Sequence, residues 1–218
     1  LWQRAGLPDG VFTVVHGDKA AVDALLDHPD VAAVSFVGST PIAKYIHQRG
    51  TANGKRVQAL GGAKNHAIIL PDADLEFAAN HLTAAAFGSA GERCMAISAA
   101  VAVGGAGDPL MDILNRKAGE VVVGSGRDPK SEMGPVVTAA AKERIESLIG
   151  SGEAQGAKVT VDGRGIKVPG HENGFFVGPT VIDHVQPEMD VYAEEIFGPV
   201  LSVVRADSVE SAIDLINS

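Results

Sequence analysis

The chain has 218 residues, 45% of them hydrophobic and 21% charged, with 26 Gly and 11 Pro, a globular, Gly-rich composition that excludes disorder and collagen. Its 18 basic and 27 acidic residues leave a net charge of −9. With no Lys/Arg block, this charge argues against a nucleic-acid or anionic-membrane surface and for small molecules or other subunits as partners.

Short β-branched apolar runs alternate with Ala-rich stretches of helical period, the pattern of an α/β chain with βα units over a largely parallel sheet. Residues 1–6 read as the last turns of a helix, and with Leu rather than Met at position 1 they point to an internal fragment of something longer. A strand is expected at 10–15, a helix at 18–27 and a buried strand at 31–37. A helix at 41–48 follows, opened by Ser39 or Thr40 with Pro41 in its first turn. Strand 56–60 ends in Gly61-Gly62, the expected domain seam. Beyond it come a strand at 66–70, a long helix at 75–87, a Gly/Ser loop at 88–93 and a strand at 97–103. A helix at 109–118, a short strand at 121–123 and an amphipathic helix at 138–151 are next. Strands at 159–161, 177–182 and 200–204 and a helix at 208–217 complete the chain.

One cysteine allows no intrachain disulfide and no cysteine-based zinc site, and favours a reducing compartment. The cytoplasm is expected, or the mitochondrial matrix if the source is eukaryotic. The seven histidines show no metal-ligand spacing. The longest apolar run, near Met95 to Val103, is shorter than the roughly 18 residues of a membrane span.

Candidate chemistry falls in three stretches. In Phe36-Val37-Gly38-Ser39-Thr40-Pro41 a strand runs into a turn that opens a helix, where N–H groups and the helix dipole suit a phosphate and Gly38 allows close backbone approach. The turn is not GxGxxG, and such junctions also occur without ligands. The second stretch, Gly88-Ser89-Ala90-Gly91-Glu92-Arg93-Cys94-Met95, holds the one thiol. Cys94 reads either as a small buried hydrophobe or, after a Gly-rich loop and beside a guanidinium that favours thiolate, as a nucleophile. No histidine is placed to make a Cys-His hydrolase. The third, Ala193-Glu194-Glu195-Ile196-Phe197-Gly198-Pro199, reads as a solvated acidic turn before a strand, or as a carboxylate for a ribose with an aromatic against a ring.

In this order the three stretches resemble the aldehyde dehydrogenase superfamily, and the resemblance runs over essentially the whole chain. Further landmarks are Ala5-Gly6-Leu7-Pro8, Leu60-Gly61-Gly62, Met133-Gly134-Pro135 and Gly174-Phe175-Phe176. Gly61-Gly62-Ala63-Lys64-Asn65-His66 and the run from Phe87 to Ala96 are similar to the CoA-acylating branch that acts on methylmalonate or malonate semialdehyde. The resemblance implies residues 1–61 as the C-terminal part of a Rossmann-like NAD-binding domain and 62–218 as a catalytic domain truncated at its C-terminal end. It implies Cys94 as nucleophile, its N–H as one oxyanion donor, and Gly38 and Ser39 at the cofactor pyrophosphate. Glu195 would lie at the nicotinamide ribose and Phe197 against the nicotinamide end.

Two departures stand out. Ala43 replaces the last Gly of the family's Gly-Ser-Thr-x-x-Gly turn. Hydrolytic members carry Glu-Leu-Gly-Gly-Lys, whose Glu activates water; here Ala59 takes the Glu position and Ala63 is inserted, so a stronger nucleophile than water is required. CoA meets that need as co-substrate. Arg93 is then expected to hold the carboxylate of a semialdehyde acid, the other reading being an ion pair with Glu92 or another acid. The implied reaction is NAD-dependent oxidation of methylmalonate or malonate semialdehyde to propanoyl-CoA or acetyl-CoA with loss of CO2, in valine or inositol breakdown, by a homodimer or homotetramer. A hydrolytic aldehyde dehydrogenase, an inactive nucleotide-binding derivative and a Cys hydrolase are the alternatives. The family's Pro-Trp-Asn segment and ribose-contacting Lys lie outside these residues, so the isolated chain is expected to bind NAD poorly and to be inactive.

Overall fold

In the computed structural model, which describes residues 1–218, the chain divides into two compact units, Leu1–Gly62 and Ala63–Ser218. The first opens with a 3-10 turn, Gln3–Ala5, closed by Gly6 at φ 87°. Helix α1 (Lys19–Asp27) is started by Asp18, whose carboxylate accepts the Ala20 N–H. Strand β1 (Ala33–Val37), helix α2 (Thr40–Ala52) and strand β2 (Arg56–Leu60) form one parallel crossover, with Phe36 opposite Ala59 and Val37 opposite Leu60. Lys55 is buried because its ammonium donates to the carbonyls of His28 and Val31, which supply the polar partners a buried charge requires. Residues 10–15 form no strand, contrary to their β-branched pattern. No neighbouring strand offers them a ladder, and Val11, Phe12, Val14 and Val15 stand exposed.

The second unit is built on a five-stranded sheet of β3 (Asn65–Ile69), β4 (Ile97–Val103), β5 (Lys158–Val161), β6 (Thr180–Asp183) and β7 (Val200–Ala206), in the order β3-β4-β7-β6-β5. All pairings are parallel except β5 with β6. The apolar run noted in the sequence contains the interior strand β4, whose residues Ala99 to Val103 are buried on both faces. Alternation assigns each face its cover. Ala100 and Ala102 join the main core with Leu82 and Phe87 of α3 (Leu75–Phe87) and Leu110 and Leu114 of α4 (Gly107–Glu120). Val101 and Val103 pack on the opposite side with Ala212 and Leu215.

Capping sets the helix starts. Asp74 accepts the Phe77 N–H at the head of α3, and Thr138 accepts the Ala141 N–H at the head of α5 (Ala139–Ala154). Ser208 and Ser211 form a reciprocal box before the last helix, Val209–Ile216. Residues 121–123, expected as a strand, make only a single bridge from Val123 to Met133. The strand expected from 177 begins at Thr180, and a one-turn helix at Asp190–Ala193 was not anticipated. Buried Asp183 is bonded by the Nε and Nη2 of Arg205 at 3.2 and 2.7 Å. No helix is long and apolar enough to cross a membrane.

Candidate active site

Beyond α3 the backbone enters the left-handed region at three consecutive residues, Ser89 (φ 53°), Ala90 (φ 53°) and Gly91 (φ 70°). L-residues lose about 1–2 kcal/mol each there, and the cost is met where surrounding structure overdetermines the turn. Gly91 shows what does so: a Cβ on it would stand 2.0 Å from the carbonyl oxygen of Gly198, so the two backbones are in direct contact. The chain then turns at Arg93–Ala96, closed by the Ala96 N–H on the Arg93 carbonyl. Cys94 sits on this turn as an exposed free thiol, which overturns the reading of a buried hydrophobe. Its N–H donates to no acceptor in the protein, the state an oxyanion donor requires.

Arg93 and Glu92 do not pair. Glu92 accepts the Val137 N–H, and burial pushes its carboxyl above the ordinary range against the pull of that bond. Arg93 Nε donates to the Gly88 carbonyl at 3.1 Å, with its guanidinium so close over Gly88 that a Cβ there would collide with it. No carboxylate neutralises Arg93, which leaves its charge available to a ligand.

The acidic turn is held from two sides. Arg144 of α5 donates to the carbonyls of Glu195 and Ile196, both at 2.8 Å. Lys64 donates to those of Val191 (2.8 Å) and Glu194 (2.7 Å). Burial brings the Lys64 pKa down to about 8, opposed by the charges of Glu195 and Glu194. Phe197 is forced to φ 53°, and Gly198 behind it lies against Ile145, where a Cβ would come within 2.5 Å of a methyl carbon.

Parallel strand order brings these pieces together. Because β3, β4 and β7 are adjacent and run the same way, the segments leading into them, Lys64-Asn65, Arg93–Ala96 and Glu195–Pro199, converge at the amino ends of the strands. Lys64, Asn65, Arg93, Glu195 and Phe197 line one cleft there, and the Glu195 carboxylate has no protein partner. Cys94 stands beside this cleft, between its lining residues Arg93 and Ala96. Lys64, Asn65 and Arg144 were not singled out from sequence, although the first two lie within the Gly61 to His66 landmark.

Gly38 and Ser39 belong to the first unit. The Gly38 N–H is already donated to the Leu60 carbonyl at 3.1 Å, so it is not one of the free donors expected for a phosphate. A Cβ on Gly38 would come within 2.5 Å of the Phe36 ring, which explains the glycine by packing. Ser39 is the N-cap of α2, but its hydroxyl bonds to nothing in the helix, and Pro41 contributes no N–H. The helix end and the free Ser39 hydroxyl therefore fit an anionic oxygen. Ala43 is buried in α2, so the departure from Gly is absorbed by packing.

The chain spans less than half the length of the curated relatives it matches. It is 59% identical over 218 residues to malonate-semialdehyde dehydrogenase of Pseudomonas aeruginosa, covering 100% of this chain and 44% of that protein. It is 50% identical over 217 residues to the bovine mitochondrial methylmalonate-semialdehyde/malonate-semialdehyde dehydrogenase, described as acylating, of which it covers 40%. A crystal structure from Sinorhizobium meliloti 1021, complexed with NAD and provisionally assigned as a methylmalonate-semialdehyde dehydrogenase, superposes with a TM-score of 0.96 at 58% identity, over 98% of this chain and 44% of that one. The aldehyde dehydrogenase family itself matches residues 1–218. An exposed thiol on the turn that follows a left-handed loop, beside an unpartnered carboxylate and an aromatic in one cleft, thus coincides with a match from the first residue to the last, and the chain belongs to the aldehyde dehydrogenase family.

Proposed function

We propose that this chain carries the nucleophile and cofactor-facing residues of an NAD-dependent, CoA-acylating semialdehyde dehydrogenase that converts methylmalonate or malonate semialdehyde to propanoyl-CoA or acetyl-CoA. The observation that carries the reading is Cys94, exposed and free, next to an Arg93 that no carboxylate neutralises. The Cys94 thiolate adds to the aldehyde carbon, and the resulting oxyanion is met by the Cys94 N–H. NAD, when bound, would supply the acceptor for the hydride that leaves that carbon with its electron pair. Cys94 then holds the acyl group as a thioester, while Arg93 holds the substrate carboxylate through paired charged hydrogen bonds. CoA thiolate attacks the thioester and Cys94 leaves as thiolate. Loss of CO2 delivers its electron pair to the thioester carbonyl, and a proton completes the new C–H bond.

In this reading residues 1–61 are the C-terminal part of an NAD-binding domain, with Ser39 and the α2 terminus at the pyrophosphate. Residues 62–218 are the catalytic part, with Glu195 at a ribose and Phe197 against the nicotinamide end. Ala59, which has no ionisable group, supports CoA over water as acyl acceptor, as does the description of the bovine relative. The working enzyme is a homodimer or homotetramer of the cytoplasm, or of the mitochondrial matrix in a eukaryote, serving valine or inositol breakdown.

The test is NADH formation from methylmalonate semialdehyde by the full-length protein, with and without CoA and with Cys94→Ala. Sustained turnover that requires both CoA and Cys94 is expected. Turnover indifferent to CoA would replace this reading with a hydrolytic dehydrogenase, and turnover by Cys94→Ala would remove the thioester.

A further inference from the structure

Two consecutive residues reach from one strand end into both turns of the candidate site. Asn65, the first residue of β3, donates from Nδ2 to the carbonyls of Cys94 at 2.9 Å and Ala96 at 3.0 Å. These carbonyls flank Met95, so a single amide spans the turn that carries the thiol. One residue earlier, Lys64 Nζ donates to the carbonyl of Val191, within the helical turn Asp190–Ala193, and to that of Glu194 at its end, just ahead of Glu195. Successive side chains along an extended backbone point in opposite directions, and that geometry lets neighbours reach segments about a hundred residues apart.

Neither side chain is a cheap filler. Lys64 is half-buried without a contact ion pair, and a desolvated ammonium is retained only where its donors are used. Asn65 is part-buried and lines the cleft. A shape-matched apolar residue at either position would remove this donor from two carbonyls of a site turn, although the Val191 carbonyl keeps a second one in the Ser202 hydroxyl at 3.3 Å.

We propose that Lys64 and Asn65 form a two-armed clamp, Lys64 being the positioning residue for the Glu195–Phe197 turn and Asn65 the positioning residue for Cys94. The Lys64 arm rests on the cofactor role proposed above for that turn; the Asn65 arm does not.

The test uses the full-length protein with Lys64→Met, Lys64→Arg and Asn65→Leu. Three readouts are taken: NAD affinity by calorimetric titration, the rate of Cys94 alkylation by iodoacetamide without NAD, and thermal stability. Loss of a charged or doubly used donor predicts about tenfold weaker NAD binding in Lys64→Met, with alkylation changed by less than about threefold. Lys64→Arg, which keeps charge and donors, restores most of the affinity. Asn65→Leu shows the converse, an alkylation rate altered by about tenfold with NAD affinity nearly unchanged. Movement of both readouts together in either variant, or of the melting temperature alone, would overturn the clamp. If Lys64→Met or Asn65→Leu does not fold, Lys64→Gln and Asn65→Ser are judged by the same criteria. A wild-type protein that binds no NAD removes the functional proposal and the Lys64 arm, whereas the Asn65 arm is still decided by alkylation.

Discussion

Gly91→Ala tests the contact between the two site turns. The new Cβ would stand 2.0 Å from Gly198 O, 2.4 Å from Gly198 C and 2.9 Å from Pro199 N, all backbone atoms that no rotamer change can move aside. Two costs add: about 1–2 kcal/mol for an L-residue held at positive φ, and about 1–3 kcal/mol for overpacking. The sum, about 2–5 kcal/mol, corresponds to a melting temperature lowered by roughly 5–15 °C for a domain of about 150 residues. Gly105→Ala is the control, since a Cβ there meets nothing within 4 Å and no positive φ is involved. Thermal scans of both variants at one fixed rate, with cofactor absent, provide the comparison. Equal melting temperatures for the two variants would show that the turns are not in contact as described.

Lys64, held down to about 8 from the usual 10.5, binds fewer protons when folded than when unfolded between those pH values. Its share of the unfolding free energy should therefore rise by about 3 kcal/mol across that window, and urea titrations should lose this slope in Lys64→Met. Arg205→Met strips both guanidinium bonds from buried Asp183 and should cost about 3 kcal/mol, with most of the loss recovered on adding Asp183→Asn; an equally unstable double variant would contradict the pairing. If Arg93 holds a substrate carboxylate, Arg93→Met should raise KM for the semialdehyde acid by about 10- to 100-fold and leave an uncharged aldehyde little affected. Parallel losses for both substrates would count against that role.

Elements with strong local signals are legible from residues alone. Asp74 and Gly88 bracket α3 at both ends, and the apolar run of β4, interrupted only by Ser98, reads as a strand. The expectation for residues 10–15 failed because β-branched alternation records only willingness to pair, whereas a strand also needs a neighbour. The helical turn at Asp190–Ala193 is too short to show a period. Within the site, Cys94, Arg93, Glu195 and Phe197 are visible as motif residues, whereas the free charge of Arg93 depends on the fold, which turns Glu92 to the Val137 N–H and Arg93 to the Gly88 carbonyl. Lys64 and Arg144 were not legible because their work is done on backbone carbonyls far along the chain. The carbonyls they serve belong to every residue type, so no letter in the sequence marks them, and the nearby Glu194, 3.8 Å from Arg144, does not single them out.

Cys94 and Phe197 each stand three residues ahead of a strand, β4 and β7 respectively, and Asn65 opens β3. Each is thus anchored downstream by a strand that begins within three residues. The other anchors are contacts on the turns themselves, Arg93 on the Gly88 carbonyl and Lys64 and Arg144 on the carbonyls of Val191, Glu194, Glu195 and Ile196. The longer connections between the three points carry no part of the placement. Chain length between the three points is free to change: a surface insertion between α4 and α5, or after β5, would renumber Phe197 without displacing it. A single residue added between Cys94 and Ile97 would instead rotate the thiol out of its turn. Homologous chains should therefore differ in the spacing between these landmarks far more readily than in the spacing from each landmark to its strand.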